Sequence, residues 1–173
     1  MRIKTEVTLT KIPVSPVGGN VSPPASTATE SVADILEQQL DPTIHEWIGL
    51  VEKEPELARI RLNFEERTGH LPRLLHDVIA RLRLDKRTKA PVSVAASHHG
   101  ELRRKQGYTA AMVVDESRIL QVSIFSTLHK NEHRVIFSKL LPDVVTIADE
   151  VDAQLKQQIL CFLPVETPRK DTN

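Results

Sequence analysis

The stretch His98-His99-Gly100-Glu101-Leu102-Arg103-Arg104-Lys105-Gln106-Gly107-Tyr108 decides how this chain is read, because polar residues stand where a helix ordinarily turns apolar groups inward. At 3.6 residues per turn Ala95, His99, Leu102 and Gln106 share one face, with Arg103 one turn after His99. Gly107 is placed to end that helix, since glycine alone adopts a left-handed C-terminal cap without a Cβ penalty. Thr109 is then a side-chain cap for a following helix, on which Glu116 stands among Met112, Val113, Ile119 and Leu120. A His, an Arg, a Gln and a Glu are aimed at one helix–helix seam. Glu116 is the acid positioned to meet Arg103 or His99 across the Gly107–Tyr108 turn if the two helices fold back antiparallel.

Outward from this seam the sequence reads as helix. Thr29 or Ser31 caps a helix carrying Val32, Ile35, Leu36 and Leu40; Pro42 interrupts or restarts it, and Ile44, Trp47, Ile48 and Val51 continue a stripe up to Pro55. Leu57, Ile60, Leu62 and Phe64 form a shorter apolar piece ending near Gly69. Pro72 suits a first helical turn, after which Leu71, Leu75, Val78 and Leu82 share a face with Leu74 and Ile79 alongside. The last long helix carries Val135, Ile136 and Leu140, then Val144, Ala148, Val151, Leu155, Ile159 and Phe162, with Pro142 expected to kink or divide it. With no hairpin signal and no internal repeat, the expected fold is an all-α bundle of five or six helices over residues 31–163. Residues 1–30 are Pro-, Ser- and Thr-rich and read as a disordered tail, as does the polar segment 164–173.

Composition narrows the function classes. The 173 residues carry 23 Lys plus Arg against 23 Asp plus Glu, so no global charge draws the chain to nucleic acid or a membrane. A local excess runs from Arg81 to Lys105: Arg81, Arg83, Lys86, Arg87, Lys89, Arg103, Arg104 and Lys105 face only Asp85 and Glu101. It reads either as a solvated surface or as a docking patch for an acidic partner. Cys161 is the sole cysteine and sits between Leu160 and Phe162 as a small buried hydrophobe, which suits a reducing cytoplasm. No segment has the length of a secretory signal or a membrane span.

Catalytic signatures are missing: there is no phosphate loop, nucleophile elbow or Cys/His pair. His129 and His133 have i, i+4 spacing around Glu132, but a zinc-protease order requires Glu directly after the first His, where Lys130 stands. His45, His70 and His76 are scattered, His98 points off the seam, and Trp47 is a core anchor. The seam has two readings. One is a structural network that sets helix register; the other is a partly open pocket or switch in which a ligand, or protonation of His99, changes the pairing.

These residues give the chain a resemblance. Trp47 with Val51 and Pro55, Leu71-Pro72-x-Leu74-Leu75, His99-Gly100-x-x-Arg103-x-x-Gln106-Gly107-Tyr108 and Glu116-x-Arg118-x-Leu120 resemble the RsbRD-like N-terminal sensor domain of RsbR-type co-antagonists and bacterial histidine kinases, over residues 36–162. The resemblance implies a helical, globin-like signal-input module working with a regulatory protein partner such as a kinase or a stressosome-type component in a stress response. Such modules are joined to an output domain, whereas here only a short tail follows Phe162, so the expectation is a free-standing regulator or a homodimer. The expected function is therefore a non-enzymatic cytoplasmic sensor without cofactor or metal, binding neither nucleic acid nor membrane. His99, Arg103, Gln106, Tyr108 and Glu116 are its ligand, partner or switch residues. The alternative is a haem- or cofactor-binding globin-like sensor with His99 or His76 as axial ligand; a third reading uses the basic stretch to bind nucleic acid.

Overall fold

The computed structural model describes residues 29–85, 88 and 91–163; the expected tails, apart from Thr29 and Glu30, lie outside them. Within them the chain is an all-α bundle. The order is α1 (Val32–Gln38), α2 (Leu40–Val51), α3 (Pro55–Arg59), α4 (Phe64–Thr68), α5 (Leu71–Arg83), α6 (Val94–Lys105), α7 (Ala110–Lys130) and α8 (Phe137–Phe162), with a 3-10 turn at Glu132–Arg134. Five of these eight segments have twelve residues or more and make the bundle; α1, α3 and α4 are short.

Local chemistry accounts for the breaks. Ser31 caps α1 by accepting from the Asp34 amide, and Pro42 falls in the first turn of α2, where its missing N–H costs nothing. Pro72 starts α5 in the same way. Gly107, at φ +84°, ends α6 in a Schellman arrangement: the Tyr108 amide donates to Arg103 O at 3.1 Å and the Gly107 amide to Arg104 O at 3.2 Å. Thr109 caps α7, accepting from the Met112 amide at 3.2 Å. Pro142 does not divide α8: it lies six residues into one continuous helix, near enough to the start that a single backbone bond is forgone. Val135 and Ile136, expected in that helix, precede it, and Glu30 pairs there instead in an isolated bridge to Val135.

The core joins Ile35 and Leu36 of α1, Trp47 and Val51 of α2, Leu71, Leu74, Leu75 and Val78 of α5, Val113, Leu120 and Ile124 of α7, and Ile147 and Val151 of α8. No helix of the described residues is long and apolar enough to cross a membrane. Two faces differ from the periodic reading. Helix α6 turns Ala96, His99, Gly100 and Arg103 inward, leaving Ala95, Leu102 and Gln106 at the margin. Helix α8 buries Ile147, Glu150, Val151, Gln154 and Gln158, with Val144, Ala148, Leu155, Ile159 and Phe162 only partly covered. One cause explains both: α6 packs mainly on α8, at a place where backbones nearly touch. A Cβ on Gly100 would stand 2.1 Å from Gln158 O, so only glycine fits. The antiparallel α6–α7 fold-back, stated above as the condition for Glu116 to meet Arg103 or His99, is not the main packing; α6 lies along α8, and α7 packs on α2 and α8.

Candidate functional site

The polar residues meet in the crook of the α6–α7 corner, where five long helices and α4 converge. Arg103 is fully buried at its centre. Its Nε donates to Glu116 Oε2 at 2.8 Å, one terminal nitrogen donates to Gln106 Oε1 at 2.7 Å and Glu66 O at 3.2 Å, and the other donates to Arg67 O at 2.8 Å. The last two acceptors are carbonyls of the final turn of α4, which have no partner within so short a helix. Arg103 therefore caps α4 from outside, where a cation also suits the helix dipole. Arg67 repeats the device one element earlier: buried itself, it donates to Leu57 O at 3.3 Å and to Ile60 O at the end of α3, and to the Tyr108 hydroxyl at 3.3 Å.

Glu116 is the hub for the other side. Its Oε1 accepts from the Tyr108 hydroxyl at 2.8 Å, its Oε2 lies 3.4 Å from His99 Nε2, and its backbone carbonyl accepts from the Trp47 indole at 3.2 Å. The Arg103 guanidinium also stands 4.8 Å from the centroid of the Tyr108 ring. His70, at the residue before α5, stacks its ring on His99 with centroids 3.9 Å apart and planes 19° apart, and Trp47 meets the His70 ring edge-on at 6.2 Å.

Charges follow from this geometry. Burial raises the Glu116 carboxyl, but the bond from His99, the charge of Arg103 and the Tyr108 hydroxyl outweigh it and hold it below the ordinary carboxylate value. Burial lowers His99 despite the favourable pull of Glu116, and lowers His70 further, with the Arg103 charge, and repulsion from His99 were that ring to gain a proton, adding to it. Burial raises the Tyr108 phenol, and the Glu116 charge adds to the shift. At neutral pH the cluster is thus an ionised Arg103–Glu116 pair, a protonated phenol and two neutral imidazoles. With its Nε2 donating to Glu116, the His99 Nδ1 is an acceptor, and it has no hydrogen-bond donor; nor does His70 Nδ1 have a partner, nor Gln158 Oε1. Beside them is a cavity of about 10 Å³ lined by residues including Trp47, His70, His99, Glu116, Ser117 and Gln158.

All five residues singled out in the sequence, His99, Arg103, Gln106, Tyr108 and Glu116, come together here. Three participants were not foreseen. His70 read as scattered, Arg67 carried no signal, and Trp47 read as an apolar anchor although its indole is bonded into the site. The cavity beside His99 admits a single water-sized group, so a porphyrin does not fit against that imidazole without opening the core. His76, the other haem candidate, is exposed, with Nδ1 2.6 Å from Pro72 O, and borders a separate groove of about 580 Å³ between α5 and the start of α6. His129 pairs with Glu132 on the surface, apart from the cluster. Cys161 is half-buried, not sealed in the core.

The basic stretch is not one patch. Arg83 is bonded to Asp34 and Glu37, and Arg103 is internal; Lys86, Arg87 and Lys89 lie outside the described residues. Comparison with known proteins returned no matching family model, no similar curated protein and no similar solved structure.

Proposed function

We propose that this chain is a non-enzymatic regulatory module, an RsbRD-like signal-input domain in the sense of the resemblance above, whose buried ionic cluster holds a short strap against the bundle. The strap is the α3–α4 segment, and one observation carries the reading: its α4 end is held to the bundle by buried polar bonds through Arg103 and Arg67. Within residues 55–69 Leu57 is the one hydrophobic side chain fully buried, with Ile60 and Leu62 partly buried against the core, while Arg103 holds the Glu66 and Arg67 carbonyls and Arg67, which also ties Leu57 O and Ile60 O within the strap, donates to the Tyr108 hydroxyl. Segments with few buried apolar contacts are the ones that open locally. A signal that alters the pairing of Glu116 with Arg103 changes how firmly α4 is capped, and so changes the surface offered to a protein partner.

The small space beside the imidazoles, about 10 Å³, leaves little room for a substrate and supports the non-enzymatic part of this reading. The test is hydrogen exchange of the strap amides in the intact protein, the Glu116→Gln variant and a Glu101→Ala control on the exposed side of α6, alongside recovery of the partner from the native cell. Faster exchange at residues 57–69 and altered partner recovery in Glu116→Gln alone support the reading. Equal behaviour of all three proteins overturns it.

A further inference from the structure

We propose that His70, His99 and Glu116 form a binding site for one divalent transition-metal ion of the zinc type. One ligand atom from each of these three residues lies within 4.8 Å of the other two, and the residues come from three separate elements: the start of α5, α6 and α7. Two imidazoles and one carboxylate make the donor set that borderline ions such as Zn²⁺, Co²⁺ and Fe²⁺ prefer, and that Mg²⁺ and Ca²⁺, which take oxygen ligands, do not. At ordinary zinc bond lengths the donors of a tetrahedral site lie roughly 3.3 Å apart, so closing on an ion asks for side-chain rotations of about 1 Å.

Independent features point to a missing occupant. His99 is almost wholly buried and its Nδ1 has no partner; neither does His70 Nδ1. A protein interior rarely tolerates such orphans, because each costs the desolvation of a polar atom with nothing in return. The cavity beside them has room for one small group, and Ser117 and the unpartnered Gln158 Oε1 border it, so a fourth ligand or a bound water has a place.

The ion would bind beside a guanidinium, and this sets the consequence. Arg103 Nε holds Glu116 Oε2 at 2.8 Å, so an ion that takes this carboxylate competes with the guanidinium for it. Drawing Glu116 towards the metal frees Arg103 to shift its remaining bonds, which are those that cap α4. A metal ion is thereby coupled to the strap, and its role as the signal rests on the regulatory reading above; the binding site itself does not.

The experiment uses the full chain freed of metal by chelator and dialysis, titrated with Zn²⁺, Co²⁺ and Mg²⁺. Trp47, the only tryptophan, reports through fluorescence, since its ring touches His70 and its indole N–H bonds to Glu116 O. Calorimetry supplies the stoichiometry. The expected result is one Zn²⁺ or Co²⁺ per chain with a fluorescence change, no response to Mg²⁺, and visible Co²⁺ d–d bands of a four- or five-coordinate site. His70→Phe, which keeps the stacked ring and the apolar volume, weakens binding at least 100-fold, while His129→Ala with His133→Ala leaves it unchanged. No zinc binding by the intact chain, or binding that survives His70→Phe and disappears with the surface histidines, overturns the site. Hydrogen exchange of residues 57–69 separates the two claims: zinc that binds through His70 without moving the strap sinks the regulatory role alone. A strap loosened by Glu116→Gln in a chain that takes no zinc sinks the metal site alone.

Discussion

Arg83 and Arg103 make similar bonds in opposite surroundings. Arg83, about half exposed, reaches Asp34 at 3.0 Å and Glu37 at 2.6 Å from the end of α5. Arg103 reaches Glu116 at 2.8 Å with no exposed surface at all. By distance alone the surface cluster is the better salt bridge. Water separates the two cases: exposed ions lose little when a partner is removed, whereas an internal ion left alone has neither solvent nor counter-charge. The internal cluster is therefore where a small change in pairing has structural leverage, and the surface one is a solvated staple between α1 and α5.

Arg103→Met carries the largest expected effect. It strands the Glu116 carboxylate and uncaps α4, so a loss of about 3–5 kcal/mol is expected in chemical denaturation. Arg83→Met should leave the unfolding midpoint unchanged; a similar loss in both variants erases the contrast. Gly100→Ala comes next, at about 1–3 kcal/mol, since the added Cβ meets the Gln158 carbonyl and α6 must lift from α8. Its damage should appear in hydrogen exchange along those two helices, leaving the α1–α5 staple untouched.

Acid should act on the two regions at different pH. The folded protein holds His70 and His99 below their unfolded value of about 6.5, so below that pH the unfolded chain binds more protons and stability falls, by up to about 1.4 kcal/mol per pH unit for each imidazole. Glu116, lowered in the fold, contributes stability that is lost only at still lower pH, and Asp34 and Glu37 behave likewise. Melting of metal-free protein between pH 8 and 5 should thus show a decline that His99→Gln reduces and Arg83→Met does not. Glu150→Gln is expected to give a small effect of the opposite sign. Burial raises that carboxyl, and its removal slightly stabilises the protein at pH 7, because the new amide oxygen still accepts from Gln154 Nε2, now at 3.1 Å.

Much of this is legible in the amino-acid sequence. Gly107, Thr109, Ser31 and Pro72 announce helix ends by local chemistry, and the α5 stripe Leu71, Leu75, Val78 is a plain 3.6-residue period. The seam could be read because His99, Arg103, Gln106, Tyr108 and Glu116 lie within eighteen consecutive residues. His70 and Arg67 enter across long sequence separations and carry no period, so no window around them reveals a partner. Helices α3 and α4 are hard to read for a different reason: each is about one turn long, and its end is satisfied by an arginine outside that helix, Arg67 for α3 and Arg103 for α4. The rotated faces of α6 and α8 were illegible because they depend on a backbone contact at Gly100, and a glycine within a helix does not say what approaches it.

The most direct measurement is the titration of the His70 and His99 side-chain nitrogens in metal-free protein by nitrogen-15 NMR. The expected result is that both rings take up a proton only below the ordinary imidazole value, His70 after His99, with the neutral His99 proton on Nε2 facing Glu116 and Nδ1 bare. Either ring gaining a proton at the ordinary imidazole value of about 6.5 would show a solvated site and contradict a sealed cluster waiting for an occupant.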